Sequence, residues 1–279
     1  MIPGSKGQSE RINMDESKLK EMIRKNPNTI LTIKNPSVEM QLLALKRNGL
    51  LLEYIENPTK EMQELAVEAN GRAIKYIENP TEEMMVKAIH SGWINLEYIK
   101  NPTDLVVESA VNQAGWAIKY VNQPSEELQL LAVRKNYDAI KFIKKPFESV
   151  QLEAVKINYE ALRYIEAPTH QAELEAVMSH EGAIKFIKNL SKDRILDFLK
   201  MNFLVLKYVM KEITKAELEA VLKEVVSHED VDEKYVRDFL NYSTIDHSLI
   251  KDMDKIQFIH QYGSRKAKRI TVDERLKMF

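Results

Sequence analysis

The chain has no cysteine, which excludes disulfide staples, thiolate metal sites and a cysteine nucleophile. It has no apolar run near the roughly 18 residues that span a bilayer. Charge of one sign is lacking too: 41 basic side chains face 42 acidic ones, for a formal net charge of −1. That balance removes the basic excess with which nucleic-acid binders usually announce themselves. Glycine is scarce, and there is no Gly-x-Gly-x-x-Gly, no Gly-Lys-Ser/Thr loop and no Gly-x-Ser-x-Gly elbow. The histidines, His90, His170, His180, His228, His247 and His260, form no His-Glu-x-x-His. Glu82-Glu83 and Glu126-Glu127 stand at helix starts, where the helix dipole accounts for them better than acid–base catalysis does. These absences point to a protein that is not an enzyme, with no catalytic residues, no cofactor and no metal. The polar opening Met1–Gln8 lacks an apolar core and is no secretory signal. Residues 1–14 are expected to be a disordered arm or a cloning scar, and the protein to be cytoplasmic with no membrane partner.

What the chain does have is a repeat. Among its 279 residues stand nine prolines, and seven of them, Pro36, Pro58, Pro80, Pro102, Pro124, Pro146 and Pro168, follow one another at intervals of 22. A fixed period in this range is the signature of stacked repeats. Eight positions after each proline is an alanine: Ala44, Ala66, Ala88, Ala110, Ala132, Ala154 and Ala176. Eighteen positions after it is an aromatic: Tyr54, Tyr76, Tyr98, Tyr120, Phe142, Tyr164 and Phe186. Between them lie Asn48-Gly49, Asn70-Gly71, Gly92, Gly115, Asn136 and Asn158.

One unit reads as a short antiparallel helix pair. Asn-Pro-Thr/Ser starts a first helix of about eleven residues, with either Asn or the following Thr/Ser as its cap. Asn-Gly ends it, where a left-handed residue is cheap. A second helix of about seven or eight residues follows, and the next proline stops it. The alanine fits a close approach of two helix backbones. Neither helix is stable alone at this length, so stacking must supply the burial. The predicted fold is therefore all-α: a right-handed α-solenoid of about nine helix-pair repeats over 15–212, similar in kind to HEAT or armadillo arrays. A helical cap over 213–262, with helices at Lys215–Ser227, Asp232–Tyr242 and Ser248–Tyr262, is expected to follow, then a mobile basic tail over 263–279, in which Val272–Phe279 is the candidate for a short helix.

The blended motif Asn-Pro-Thr-x-Glu-x-Gln-x-x-Ala-Val-x-x-Asn-Gly-x-Ala-Ile-x-Tyr-Ile, drawn from residues 57–79 and 123–144, resembles helical repeats of bacteriophage and bacterial proteins. Those repeats carry an Ala-Val-Lys-x-Asn-Gly core between their helices. The resemblance extends over residues 35–190 and implies a phage or prophage origin. It also implies a module that binds and disables a host protein, such as a defence factor, and it carries over no catalytic residue. Lys145, Ala167 and Leu190 depart from the Asn-Pro pattern.

The position before each aromatic reads Glu53, Lys75, Glu97, Lys119, Lys141, Arg163, Lys185 and Lys207. Lys144, Lys145, Lys188 and Lys211 share that helix face. Stacking would align these cations into a stripe, read either as a solvated face or as a docking surface. Trp93, Trp116, Tyr137, Tyr159 and Phe203, at the turn between the helices, read as interface anchors or as staples over the junction. The aromatic column itself is expected in the core, with a stacking platform for bases as the other reading. The functional expectation is a scaffold for a protein partner with an acidic surface. The alternatives are nucleic acid held by the stripe and Arg265–Arg269, or a sequestered phosphorylated small molecule, the last disfavoured by the missing glycine-rich cradle.

Overall fold

The computed structural model describes residues 15–242 and 249–277; the arm expected over 1–14 lies outside them. It divides into two compact units, 1–122 and 123–279. The boundary falls inside the stretch 15–212 that the period presents as one domain. Because Pro102 and Pro124 keep the same interval as their neighbours, the period carries no trace of that division. Among the described residues there is no strand.

Each repeat is an α-helix followed by a 3₁₀ helix, as in Lys60–Ala69 and Gly71–Tyr76. The second element is thus a six-residue 3₁₀ helix in place of the longer α-helix expected. The cause lies in its buried positions. Gly71, Ile74 and Ile77 are three apart, the spacing that a helix of three residues per turn brings onto one face. Within the first unit, successive first helices from Glu16–Lys25 to Asp104–Gln113 pack on one another, and so do the 3₁₀ helices from Gly49–Tyr54 to Gly115–Tyr120. The same two rows recur in the second unit, from Glu126–Lys135 to Lys192–Met201 and from Tyr137–Phe142 to Phe203–Val205.

The caps resolve the two sequence readings. Thr or Ser caps most of the first helices, Thr103 making no side-chain cap bond: Thr59, Thr81 and Thr169 accept hydrogen bonds from Met62 N, Met84 N and Ala172 N at 3.3, 3.3 and 3.2 Å. Asn caps the second helix. Asn70 and Asn158 accept from Arg72 N and Glu160 N at 3.0 and 2.9 Å, and His180 Nδ1 does the same for Gly182 N at 3.0 Å. The left-handed residue is not at Asn-Gly, since Asn70 is extended at φ −156° and no described glycine lies in the left-handed region. It stands just before the next repeat, at Asn35, Asn57, Gln123 and Asn189 with φ between 52° and 55°.

The alanine column is fully buried, and its neighbour shows why. A Cβ on Gly49 would lie 2.0 Å from the carbonyl oxygen of Ala66 in the next repeat. The 3₁₀ helix therefore rests against the backbone of the following first helix. In the second unit a buried glutamine adds a polar tie. Gln129 Nε2 donates to Pro124 O at 2.9 Å while its Oε1 accepts from Phe147 N at 3.4 Å; Gln151 repeats this with Pro146 O and Thr169 N at 3.1 and 2.9 Å.

The cap comprises Lys215–Ser227, Glu233–Asn241 and Lys255–Tyr262, joined by a fourth helix. Ser248, the expected start of the third, lies outside the described residues. Phe203, read from sequence as a rim aromatic, is wholly buried. Its ring meets Tyr235, Phe239 and Tyr242 edge-on at 6.0, 5.4 and 5.2 Å, so it closes the end of the repeat core. The stretch 263–279, expected to be a mobile tail, contains the helix Arg265–Leu276. Ser264 caps it, Ala267, Ile270 and Thr271 form its buried stripe, and Asn241 Nδ2 donates to Glu274 at 2.8 Å. The stripe follows the i, i+3, i+4 spacing of a core-facing helix, which six cations among its neighbours had masked.

Candidate functional site

At the positions where the sequence suggests a cation stripe, cations lie over aromatic rings. From Gly49–Tyr54 to Glu181–Phe186 the 3₁₀ geometry turns the positions 16 and 19 after the proline inward and leaves those at 17 and 18 outward, and the short α-helix Leu206–Val209 does the same in the last repeat. The aromatic column is therefore not in the core: Tyr54 is 62% exposed, Phe142 38%, and Tyr164 and Tyr208 each 37%, while Tyr76, Tyr98, Tyr120 and Phe186 are half-buried. In the second unit Lys141 lies over Phe142 at 5.1 Å and over Tyr164 of the next repeat at 5.8 Å. Arg163 continues the pattern over Tyr164 and Phe186, at 5.6 and 5.5 Å, and Lys185 lies 4.8 Å from the Tyr208 centroid. Each cation thus bridges one repeat to the next.

In the first unit the same register alternates in sign, and the chemistry follows the residue present. Glu53 accepts a hydrogen bond from Tyr76 Oη at 2.7 Å and Glu97 one from Tyr120 Oη at 3.2 Å. Lys75 covers Tyr76 at 4.4 Å; Lys119 covers Tyr120 at 4.5 Å and Trp93 at 5.5 Å. A carboxylate at this position takes the phenol hydroxyl, whereas a cation takes the ring face.

Two of the expected cations are partly neutralised. Lys141 is paired with Asp138 at 2.7 Å and Lys207 with Glu181 at 3.0 Å. Burial alone would raise the Glu181 carboxyl, but the Lys207 ammonium and a backbone hydrogen bond hold it below its ordinary value. Lys144 and Lys188 are exposed beside the ladder. Of the turn aromatics, Trp93 meets the Tyr120 ring at 6.4 Å, and Tyr159 stacks on His180 at 4.3 Å and 6° with Phe186 at 6.3 Å. Both therefore act as staples to the following repeat. Burial, then the nearby Glu160 charge, pushes the Tyr137 phenol up, and Trp116 is 37% exposed on its 3₁₀ helix.

A second feature escaped the sequence. Glu173 occupies the position of the buried glutamines but cannot donate to a carbonyl as they do. Arg194 of the next repeat instead pairs with it and donates to Lys188 O and Asn189 O at 3.1 and 3.0 Å. The signal was present: Glu173 replaces Gln in the repeat immediately before Leu190 replaces Pro. An open cleft of about 460 Å³ lies beside this pair, with Phe186, Lys188, Pro168 and His170 on its walls.

No family model matches the chain, and no curated protein or solved structure matches it either. No helix among the described residues is long and apolar enough to cross a membrane.

Proposed function

We propose that this chain is a non-catalytic scaffold that binds an acidic protein surface through the cation–aromatic ladder of its second unit. The observation that carries this reading is the seating of Lys141, Arg163 and Lys185 on half-exposed rings. A cation resting on a ring face has already given up much of the side-chain freedom that binding would otherwise cost. It still offers its remaining N–H donors outward to carboxylates. Aromatic and arginine groups at a rim are also the side chains that dominate protein interfaces.

The same geometry weighs against the nucleic-acid alternative. Base stacking needs an open ring face, and on Tyr164 and Phe186 a cation holds that position. Within each unit the repeats are proposed to wind in the right-handed sense, with about nine helix pairs over 15–212. That the partner belongs to a host cell infected by a phage rests on the sequence resemblance alone.

Fluorescence anisotropy with labelled poly-L-glutamate and a single-stranded oligonucleotide tests the reading at ~50 mM salt, where charge-driven binding is strong. The proposal requires the polypeptide to bind and the Lys141→Glu, Arg163→Glu, Lys185→Glu variant to lose it. Preferential binding of the oligonucleotide would replace this function with the alternative.

A further inference from the structure

The turn of the second unit around Pro146 breaks the repeat's own rules at several positions together. Ser37, Thr59, Thr81, Ser125, Thr169 and Ser191 cap their helices through a side-chain oxygen. Phe147 stands at the equivalent place before Glu148–Ile157 and makes no cap bond. Replacing a capping hydroxyl in this way destabilises a helix start, and the ring recovers little by burial because it is 49% exposed. Its backbone is well held, since Phe147 N donates to Gln129 Oε1 at 3.4 Å. The residue before Pro146 is Lys145 in place of Asn, preceded by Lys144, and both are exposed. A local rule broken without compensation in the fold is where function is to be sought.

The next two turns of the same unit form the cleft described above. Its apolar walls come from Ile165, Pro168 and Phe186, and Lys188 stands at its rim. Glu173, 4% exposed, is neutralised by Arg194, whose other bonds fix the Lys188–Asn189 backbone. The cleft is thereby built by the buried Glu173 and its half-buried partner Arg194, and Glu166 is its remaining acid. None of Lys144, Lys145 and Lys188 has a carboxylate partner among the described residues.

We propose that this turn edge, Phe147 with Lys144 and Lys145 and the neighbouring cleft at Phe186 and Lys188, docks an acidic linear peptide segment that carries one large apolar side chain. Its carboxylates meet the three lysines, and its apolar side chain seats against the cleft wall while Phe147 covers the adjoining residue. The inference rests on the reading that the second unit binds an acidic protein, and it names a contact separate from the ladder cations. Apolar anchors flanked by charge are the usual composition of peptide recognition.

Selection of displayed twelve-residue random peptides against the full chain tests it, with anisotropy on the resynthesised winners. The expected winners are acidic with one large apolar residue. Phe147→Thr restores the repeat's own cap, so it should raise the melting temperature while weakening the winners by about tenfold or more. Lys188→Glu should weaken them as well. No enrichment, winners without acidic residues, or affinities unchanged by Phe147→Thr would overturn the proposal. In each of those cases poly-L-glutamate binding that still depends on Lys141, Arg163 and Lys185 would leave the ladder reading standing.

Discussion

Gly49→Ala should destabilise the first unit, although replacing glycine by alanine ordinarily stabilises by about 0.4–1 kcal/mol through the unfolded chain. The added Cβ would meet Ala66 O at 2.0 Å and Ala66 C at 2.9 Å. That oxygen cannot turn aside, because it already accepts the Asn70 N–H at 2.9 Å to close the helix. The 3₁₀ helix must retreat instead, opening the packing that buries Leu51 and Leu52. Overpacking of this kind costs about 1–3 kcal/mol, so after the unfolded-state gain the net loss should be about 1–2 kcal/mol. Gly92→Ala is the internal control. Nothing lies within 4 Å of its added Cβ, and its φ of 163° is extended backbone open to any residue. It should be neutral or stabilising. Urea denaturation followed by circular dichroism measures both, read as a shift in midpoint at constant slope. Equal stability of Gly49→Ala and wild type would refute the close stacking of the 3₁₀ helix Gly49–Tyr54 on the next repeat.

Exchanging the buried pair for the repeat's own residues gives a second test. Glu173→Gln alone removes the charge that Arg194 pairs with but leaves it two carbonyl acceptors, so it should cost about 1–2 kcal/mol, whereas adding Arg194→Met, the type found at Met40, Met62 and Met84, should recover most of it in the same denaturation assay. Arg163→Ala removes contacts to two rings and should cost about 1–2 kcal/mol, with Arg163→Lys in between. Backbone and side-chain hydrogen bonds from Thr214 and the Lys192 ammonium lower the Glu217 carboxyl from 4.5 to about 2. A carboxyl depressed by folding stabilises above its unfolded pKa and loses that effect as pH falls through its folded one. Wild type and Glu217→Gln should therefore differ most above pH about 4.5 and converge towards pH about 2 in thermal melts.

The repeat, the helical class and the cap helix Lys215–Ser227 were legible because proline spacing and apolar period report backbone and burial directly. The type of the second helix was legible too, in the three-residue spacing of Gly71, Ile74 and Ile77. An α-helical expectation hides it, because aliphatics at i and i+3 suit both helices. The same misreading put the aromatics inside, since only one position separates Ile74 from Lys75 and two from Tyr76. The cations of the ladder were legible as a row. Their seating on rings was not, because it depends on which face the 3₁₀ geometry turns outward. Arg194 and Glu173 lie in different repeats, and only the stack brings them together. Phe147 was visible all along as the one large aromatic where its equivalents are Ser or Thr.

Lysine acetylation rates measured by mass spectrometry, with and without poly-L-glutamate, test the central claim most directly. The ladder predicts slowing at Lys141 and Lys185, while Lys60 on the first helix of an earlier repeat keeps its rate. Uniform slowing across all three lysines, or slowing at Lys60 alone, would contradict it.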